Sequence, residues 1–264
     1  MTAFASRIAR LTPSVDIEPL LTRLGCVDPE TLPAPLLVDR LLAGWRRRPL
    51  VQPPAATAAV EQLLHVLPTG GWRIGSATAR ALAMLFQQVG PRVVLEFGSG
   101  SSTVLFAALC AMAGGGRRVV SIDEKEEFAE RTRRLLQDFR LADYATLVVA
   151  PVRRTRLASW SGWMYCPPAD GLRAAIGGDP VEFVFVDGPA NWLGRRGDCR
   201  YGTLLLAAQW ISRQATFAAD DALRSRDLRM VRRWRALPSV DVHGVLPIGR
   251  GIAVGTVRGS RAGR

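Results

Sequence analysis

The chain has 264 residues and is 48% hydrophobic, which suits one large domain, or one domain with an appendage, around a full core. Four cysteines without a C-x-x-C pair, and only two histidines, His65 and His243, exclude a multi-histidine metal centre and argue against a structural zinc site or a disulfide framework. The formal net charge is +12, but Lys125 is the sole lysine and the arginines lie in short scattered clusters, so the charge leaves nucleic-acid binding open without specifying it.

No uncharged apolar run reaches the roughly 18 residues of a membrane span, and the first residues, Met-Thr-Ala-Phe-Ala-Ser-Arg, lack the apolar stretch of a signal peptide. A cytoplasmic protein with no membrane partner is the expectation. Residues 1–54 read as an N-terminal helical extension. Segments 17–24 and 36–45 have helical apolar spacing, broken by Pro13, Pro33 and Pro35, and Gln52-Pro53-Pro54 marks the boundary to a main domain over 55–264. These apolar helices leave two roles open, pairing subunits into a homo-oligomer or covering a site. Residues 55–66 predict a helix in which His65 packs, residues 67–71 a loop, and Ser76 the cap of a helix to about residue 89, ended by Gly90-Pro91.

From there strands and helices alternate. A strand over 93–96 runs into Gly98 and Gly100 and then a helix over 102–113, closed by Gly114-Gly115-Gly116. A second strand, 118–122, ends at Asp123, and a helix follows over about 126–139 with acids early and arginines late, as the helix dipole favours. A third strand covers 145–150 and stops at Pro151. Residues 159–178 read as an irregular stretch carrying Trp160, Trp163 and Tyr165. A fourth strand, 181–186, ends at Asp187-Gly188-Pro189; a helix spans about 201–212; a fifth strand, 215–219, ends at Asp220-Asp221; a helix spans 223–237. Two last strands, near 240–245 and 251–257, are joined by so short a turn that they must be antiparallel. The fold class is α/β: a doubly wound, mostly parallel, seven-stranded Rossmann-like sheet with a terminal antiparallel hairpin. Ligands of such sheets sit beyond the C-terminal strand ends, where Glu96, Asp123, Asp187 and Asp220 would line one rim. Strand, glycine turn and helix N-terminus together make a nucleotide-cradling arrangement, although Thr103 stands where the dinucleotide fingerprint has its third glycine.

The ordered set resembles the class I S-adenosylmethionine-dependent methyltransferases. Leu-Glu-Phe-Gly-Ser-Gly-Ser-Ser-Thr at 95–103 resembles their first motif, Ser-Ile-Asp at 121–123 the second, Phe-Val-Asp-Gly-Pro at 185–189 the fourth-strand motif, and the final hairpin their last two strands. The resemblance covers about residues 75–257 and implies S-adenosylmethionine as cofactor. Gly98, Ser99, Gly100, Ser101 and Ser102 would take its amino-acid part, with Glu96 supporting that loop or accepting from the ammonium. Asp123, about 20 residues past the glycine turn, would hold the ribose hydroxyls. Pro151 and Val152 would edge the adenine, and Asp187 would sit where methyl donor and acceptor meet. Each has a plainer alternative: a tight turn at Gly98 and Gly100, a helix cap at Asp123, a turn at Asp187-Gly188-Pro189.

A second, partial similarity is to catechol-type O-methyltransferases, which hold magnesium with an aspartate after strand four and an Asp-Asn pair after strand five. It implies a Mg2+ site at Asp187, Asp220 and Asp221, with Asp187 and Asp221 as catalytic residues, although Asp221 replaces the asparagine. The competing view is that Asp220-Asp221 caps the next helix and pairs with Arg224 or Arg226. Arg195, Arg196 and Arg200 either clamp an anionic acceptor or form a solvated face, Asn191 and Trp192 are near enough to Asp187 to touch substrate, and His243 reads as structural. The expected activity is methyl transfer to a small-molecule acceptor, at oxygen rather than nitrogen, because Asp187 lacks the Pro-Pro-Tyr sequel of many N-methyltransferases. A nucleotide- or dinucleotide-dependent enzyme and a non-catalytic nucleic-acid-binding module are the alternatives.

Overall fold

Residues 16–32, 58–67, 73–157, 160–190 and 198–260 are described by the structure, a computed structural model of the chain. At its centre is strand β1 (Val93–Phe97), buried along its whole length. It lies parallel to β2 (Arg118–Asp123) on one side and to β6 (Val181–Val186) on the other. Counting β4 and β5 below, the order of the seven-stranded sheet is β3-β2-β1-β6-β7-β9-β8, where β3 is Ala145–Val149, β7 Gln214–Ala219, β8 Val240–Leu246 and β9 Ile252–Arg258. Only β9 runs against the others: it inserts antiparallel between β7 and β8. The chain therefore builds outward from β1 to β3 and returns to the other side of β1 as β6. That reversal opens a crevice above the β1 and β6 C-termini.

The apolar runs of the strands follow from burial on both faces. Val93, Leu95 and Phe97 point into one core with Tyr201, Leu204 and Trp234, which belong to α7 (Tyr201–Ala207) and α8 (Ser225–Trp234). Val94 points into the other core with Leu82, Leu105 and Leu136, from α3 (Ser76–Val89), α4 (Ser101–Ala113) and α5 (Glu126–Asp138). Helix α4 is apolar almost all round and correspondingly enclosed, whereas α5 buries only Ala129, Thr132 and Leu136.

Residues 16–32 lie against the open side of the hairpin. Helix α1 (Glu18–Arg23) buries Leu20 and Leu21, Val27 bridges to Val245, and Asp28 pairs with Arg235 at 2.5 Å. His243 meets Glu18 at 3.1 Å, a packing contact at the sheet edge. Helix α2 (Ala58–Val66) adds Val60, Leu63 and Leu64 to the core, while His65, expected to pack, is exposed. The expected helix over 36–45 and the Gln52-Pro53-Pro54 boundary lie outside the described residues.

Two expectations need correcting. Ser76 is the first residue of α3, and Gly75 holds the cap position without a side-chain bond. The stretch 159–178, read as irregular, holds instead strand β5 (Trp160–Tyr165), which pairs with β4 (Val152–Leu157) just before it, and α6 (Ala169–Ile176). This hairpin shows no apolar period in its first strand, because Arg153, Arg154 and Arg156 are exposed and interrupt it. Its apolar members rest on α7: the Trp160 and Tyr201 rings are 5.7 Å apart, and any Cβ on Gly202 would strike Trp160 at 2.7 Å.

Candidate functional site

The turn after β1 is held from below by a carboxylate. Alternation along β1 turns Glu96 away from Leu95 and Phe97, towards the start of α4, where it is fully buried. One of its oxygens accepts from Thr103 Oγ1 at 2.5 Å, and that hydroxyl in turn accepts the Gly100 N–H at 3.0 Å. The other, Oε1, has no hydrogen-bond partner among the described residues. Burial raises the Glu96 carboxyl from 4.5 to about 7, partly offset by the hydroxyls of Ser102, Thr103 and Ser121. A carboxyl raised in the folded chain adds stability below its unfolded pKa, and that stability is lost as pH rises through the folded value. Glu96→Gln is therefore expected to stabilise the ligand-free chain above pH 7 by up to roughly 3 kcal/mol and to change little near pH 4. Chemical denaturation at the two pH values checks this; an identical difference at both would remove the protonation penalty.

Gly98 has φ +97°, and a Cβ there would lie 2.8 Å from the Gly188 nitrogen. The loops after β1 and β6 thus touch backbone to backbone, with both Asp187 N and Gly188 N donating to the Phe97 carbonyl. A side chain at 98 would face both an unfavourable φ and a backbone clash. A Cβ on Gly100 would meet nothing within 4 Å, so the space beside the turn is open to an approaching ligand.

Asp123 ends β2 and is 5% exposed. Its Oδ2 accepts from Ser99 N at 2.9 Å and Ser99 Oγ at 2.6 Å, and its Oδ1 from Lys125 N at 3.0 Å. The bond to Ser99 fastens the glycine turn to the neighbouring strand end, and the bond to Lys125 shapes the entry to α5. A carboxylate offers about four acceptor positions, so capacity for a further donor remains. Ser101 Oγ accepts from Ile74 N at 3.1 Å and ties the segment before α3 to the turn. Ser102 is buried beside Glu96. Pro151 is exposed just past β3, while Val152 is buried opposite Tyr165 in the hairpin. Tyr165 stacks on Phe97 at 5.9 Å, and its hydroxyl would meet any Cβ on Gly188.

The β6 and β7 ends are organised by Arg200, just before α7, whose side chain is 5% exposed. Its Nε donates to Pro189 O at 3.1 Å, and its Nη2 donates to Asp187 O and lies 3.5 Å from Asp187 Oδ1. Its Nη1 reaches Asp220 O at 3.5 Å, Asp221 Oδ2 at 3.3 Å and Asp227 Oδ1 at 3.6 Å. Asp221 also pairs with Arg224 at 2.6 Å and Arg250 at 2.7 Å. Burial, reinforced by the Asp220 charge, raises the Asp187 carboxyl well above the usual range, against the pull of Arg200. Burial and Asp221 raise Asp220 to about 6.

Arg200 lies among the three residues expected to hold magnesium, Asp187, Asp220 and Asp221. No group of metal-ligating side chains gathers among the described residues; carboxylate oxygens of Asp187 and Asp221 lie against Arg200 nitrogens, while Asp220 Oδ1 accepts from Asp221 N. Asp221, expected to be catalytic, is 2% exposed and engaged with three arginines. Arg200 is neither an acceptor clamp nor a solvated face, while Asn191, Trp192, Arg195 and Arg196 lie outside the described residues. Of the residues that build the site, Asp227 carried no signal in the sequence, and Arg200 was a candidate only as an acceptor clamp or a solvated face. Thr103 was visible only as a missing glycine.

No protein-family model matches the chain, and no curated protein matches it significantly. Solved structures do. A Podospora anserina methyltransferase with SAH bound superposes with a TM-score of 0.52 at 15% identity, over 87% of this chain and 98% of that one. An O-methyltransferase from Streptomyces achromogenes, involved in tomaymycin synthesis and solved with SAM, gives 0.51 at 16% identity, over 78% and 92%. An O-methyltransferase from Bacillus cereus in complex with SAH gives 0.50 at 17% identity, over 77% and 92%. The chain has the fold of these proteins, a Rossmann-like methyltransferase sheet with a terminal antiparallel hairpin.

Proposed function

We propose that the protein transfers the methyl group of S-adenosylmethionine to an oxygen atom of a small-molecule acceptor, in the crevice above β1 and β6. One observation carries the reading: the glycine turn over open space and the Asp123 carboxylate converge at the strand-order reversal of this sheet. The SAM- and SAH-bound proteins of the same fold support it. In this reading Gly98, Ser99 and Gly100 admit the amino-acid part of the cofactor, with Glu96, Ser101 and Ser102 setting the loop. Asp123 takes the ribose hydroxyls, and Pro151 and Val152 edge the base. When bound, the cofactor supplies an electrophilic methyl on sulfur. The protein's own part is to align the acceptor oxygen in line with it, exclude water, and receive the acceptor's proton. Asp187, a quarter exposed and raised in pKa, is the base at that position.

A dinucleotide-dependent enzyme is disfavoured by two features. Thr103 replaces the third glycine and uses its hydroxyl to join Glu96 to Gly100, and β9 enters the sheet antiparallel. Calorimetric titration with S-adenosylhomocysteine and, separately, with NAD decides between them. Binding of the first and not the second is expected. Asp123→Ala should weaken that binding by about 10²-fold, since hydrogen bonds to a charged carboxylate contribute about 1.5–3 kcal/mol each. Undiminished affinity in this variant would sink the ribose assignment.

A further inference from the structure

We propose that Arg200 stands where a divalent cation would otherwise join the β6 and β7 strand ends, so that the protein sets Asp187 with a guanidinium and needs no metal ion. The catalytic half of this proposal rests on the methyltransferase reading; the binding half does not.

The six oxygens around Arg200 come from three separate parts of the chain. They are the carbonyls of Asp187, Pro189 and Asp220 and the carboxylates of Asp187, Asp221 and Asp227. A hard cation would ask for a comparable set of oxygens, but at about 2.0–2.6 Å and converging on one point. Here most are spread along a planar fork, at 3.1–3.6 Å from three different nitrogens. The fork is always charged and cannot leave with a chelator. Arg224 and Arg250 add two more positive groups against Asp221, so the three carboxylates Asp187, Asp221 and Asp227 already face three guanidinia. A divalent ion entering there would bring strong like-charge repulsion and no free oxygen cage. Arg200 also does what a bridging ion would do mechanically. It fixes the Asp187 backbone and carboxylate to the turn after β7 and to α8, while Asp187 keeps 25% of its side chain exposed. Arg200 is thus a positioning residue acting through Asp187.

The test is a Mn2+ titration of the intact protein, reading free Mn2+ by electron paramagnetic resonance, with thermal midpoints taken in EDTA and in Mg2+. Expected are no stoichiometric site tighter than about 1 mM, the weak end of protein cation sites, and the same midpoint in both media. One Mn2+ per chain that disappears in Asp220→Asn, or a midpoint lowered by EDTA and restored by Mg2+, overturns the proposal. Arg200→Met removes the charge at similar volume and should bind Mn2+ roughly tenfold more tightly or better, about 1.4 kcal/mol, while Arg200→Lys should again refuse it. A folded Arg200→Met that takes up no more Mn2+ than the wild type also overturns it. If that variant does not fold, the wild-type titration decides alone. None of these readouts needs turnover, so they fail or succeed independently of S-adenosylhomocysteine binding.

Discussion

Arg200→Met is expected to destabilise the chain by about 3–5 kcal/mol at neutral pH, because it leaves several carboxylates buried without their common partner. That is a large part of the roughly 5–15 kcal/mol that holds a typical domain folded. Asp187 and Asp220 already have carboxyls raised by burial and by a neighbouring carboxylate, Asp187 by Asp220 and Asp220 by Asp221, with Asp220 raised to about 6. Their protonated forms favour the folded chain. The stability they contribute is complete below the unfolded carboxylate pKa of 3.8 and is lost as pH rises through the folded values, the window ending near 6 for Asp220. Removing the guanidinium raises these carboxyls further and deepens that loss. The gap between variant and wild type should be widest above about pH 6 and should narrow towards pH 4. Urea denaturation across this range measures it; a gap independent of pH would mean that Arg200 acts by packing and not by charge.

Asp187→Asn is expected to lower kcat/KM for methyl transfer by about 10²–10⁴-fold, the usual contribution of a positioned general base. Asparagine keeps the shape and can still meet Arg200 and the loop, so affinity for S-adenosylhomocysteine should hold. In the wild type the base must be ionised, so kcat/KM should rise with pH through the raised Asp187 value, and the variant should lose that limb. Rates with an oxygen acceptor found by screening phenols and catechols, taken as a pH profile, provide the check. A variant with wild-type rates, or with the same acid limb, would move the base elsewhere.

Much of the architecture was legible because strand burial is written locally. Val93–Phe97 and Val181–Val186 are apolar runs between turn signals, and both strands form over almost the expected residues. The short step between β8 and β9 forces antiparallel pairing. The hairpin of β4 and β5 was not legible, because its strand carries three exposed arginines and is stabilised by Trp160 and Met164 meeting α7, a contact distant in sequence.

The residue order alone determined the alternation of strands and helices, the glycine turn at 98–100, and the acids at successive strand ends. Each of these depends on the conformational freedom or period of a few adjacent residues. Only the tertiary structure decided what those acids face. Asp123 turned to Ser99, and Asp187, Asp221 and Asp227 turned to a single arginine, Arg200. Charge type is readable one residue at a time. Which opposite charge fills the space between three carboxylates depends on how a loop, a strand end and a helix are brought together, and no local pattern records that.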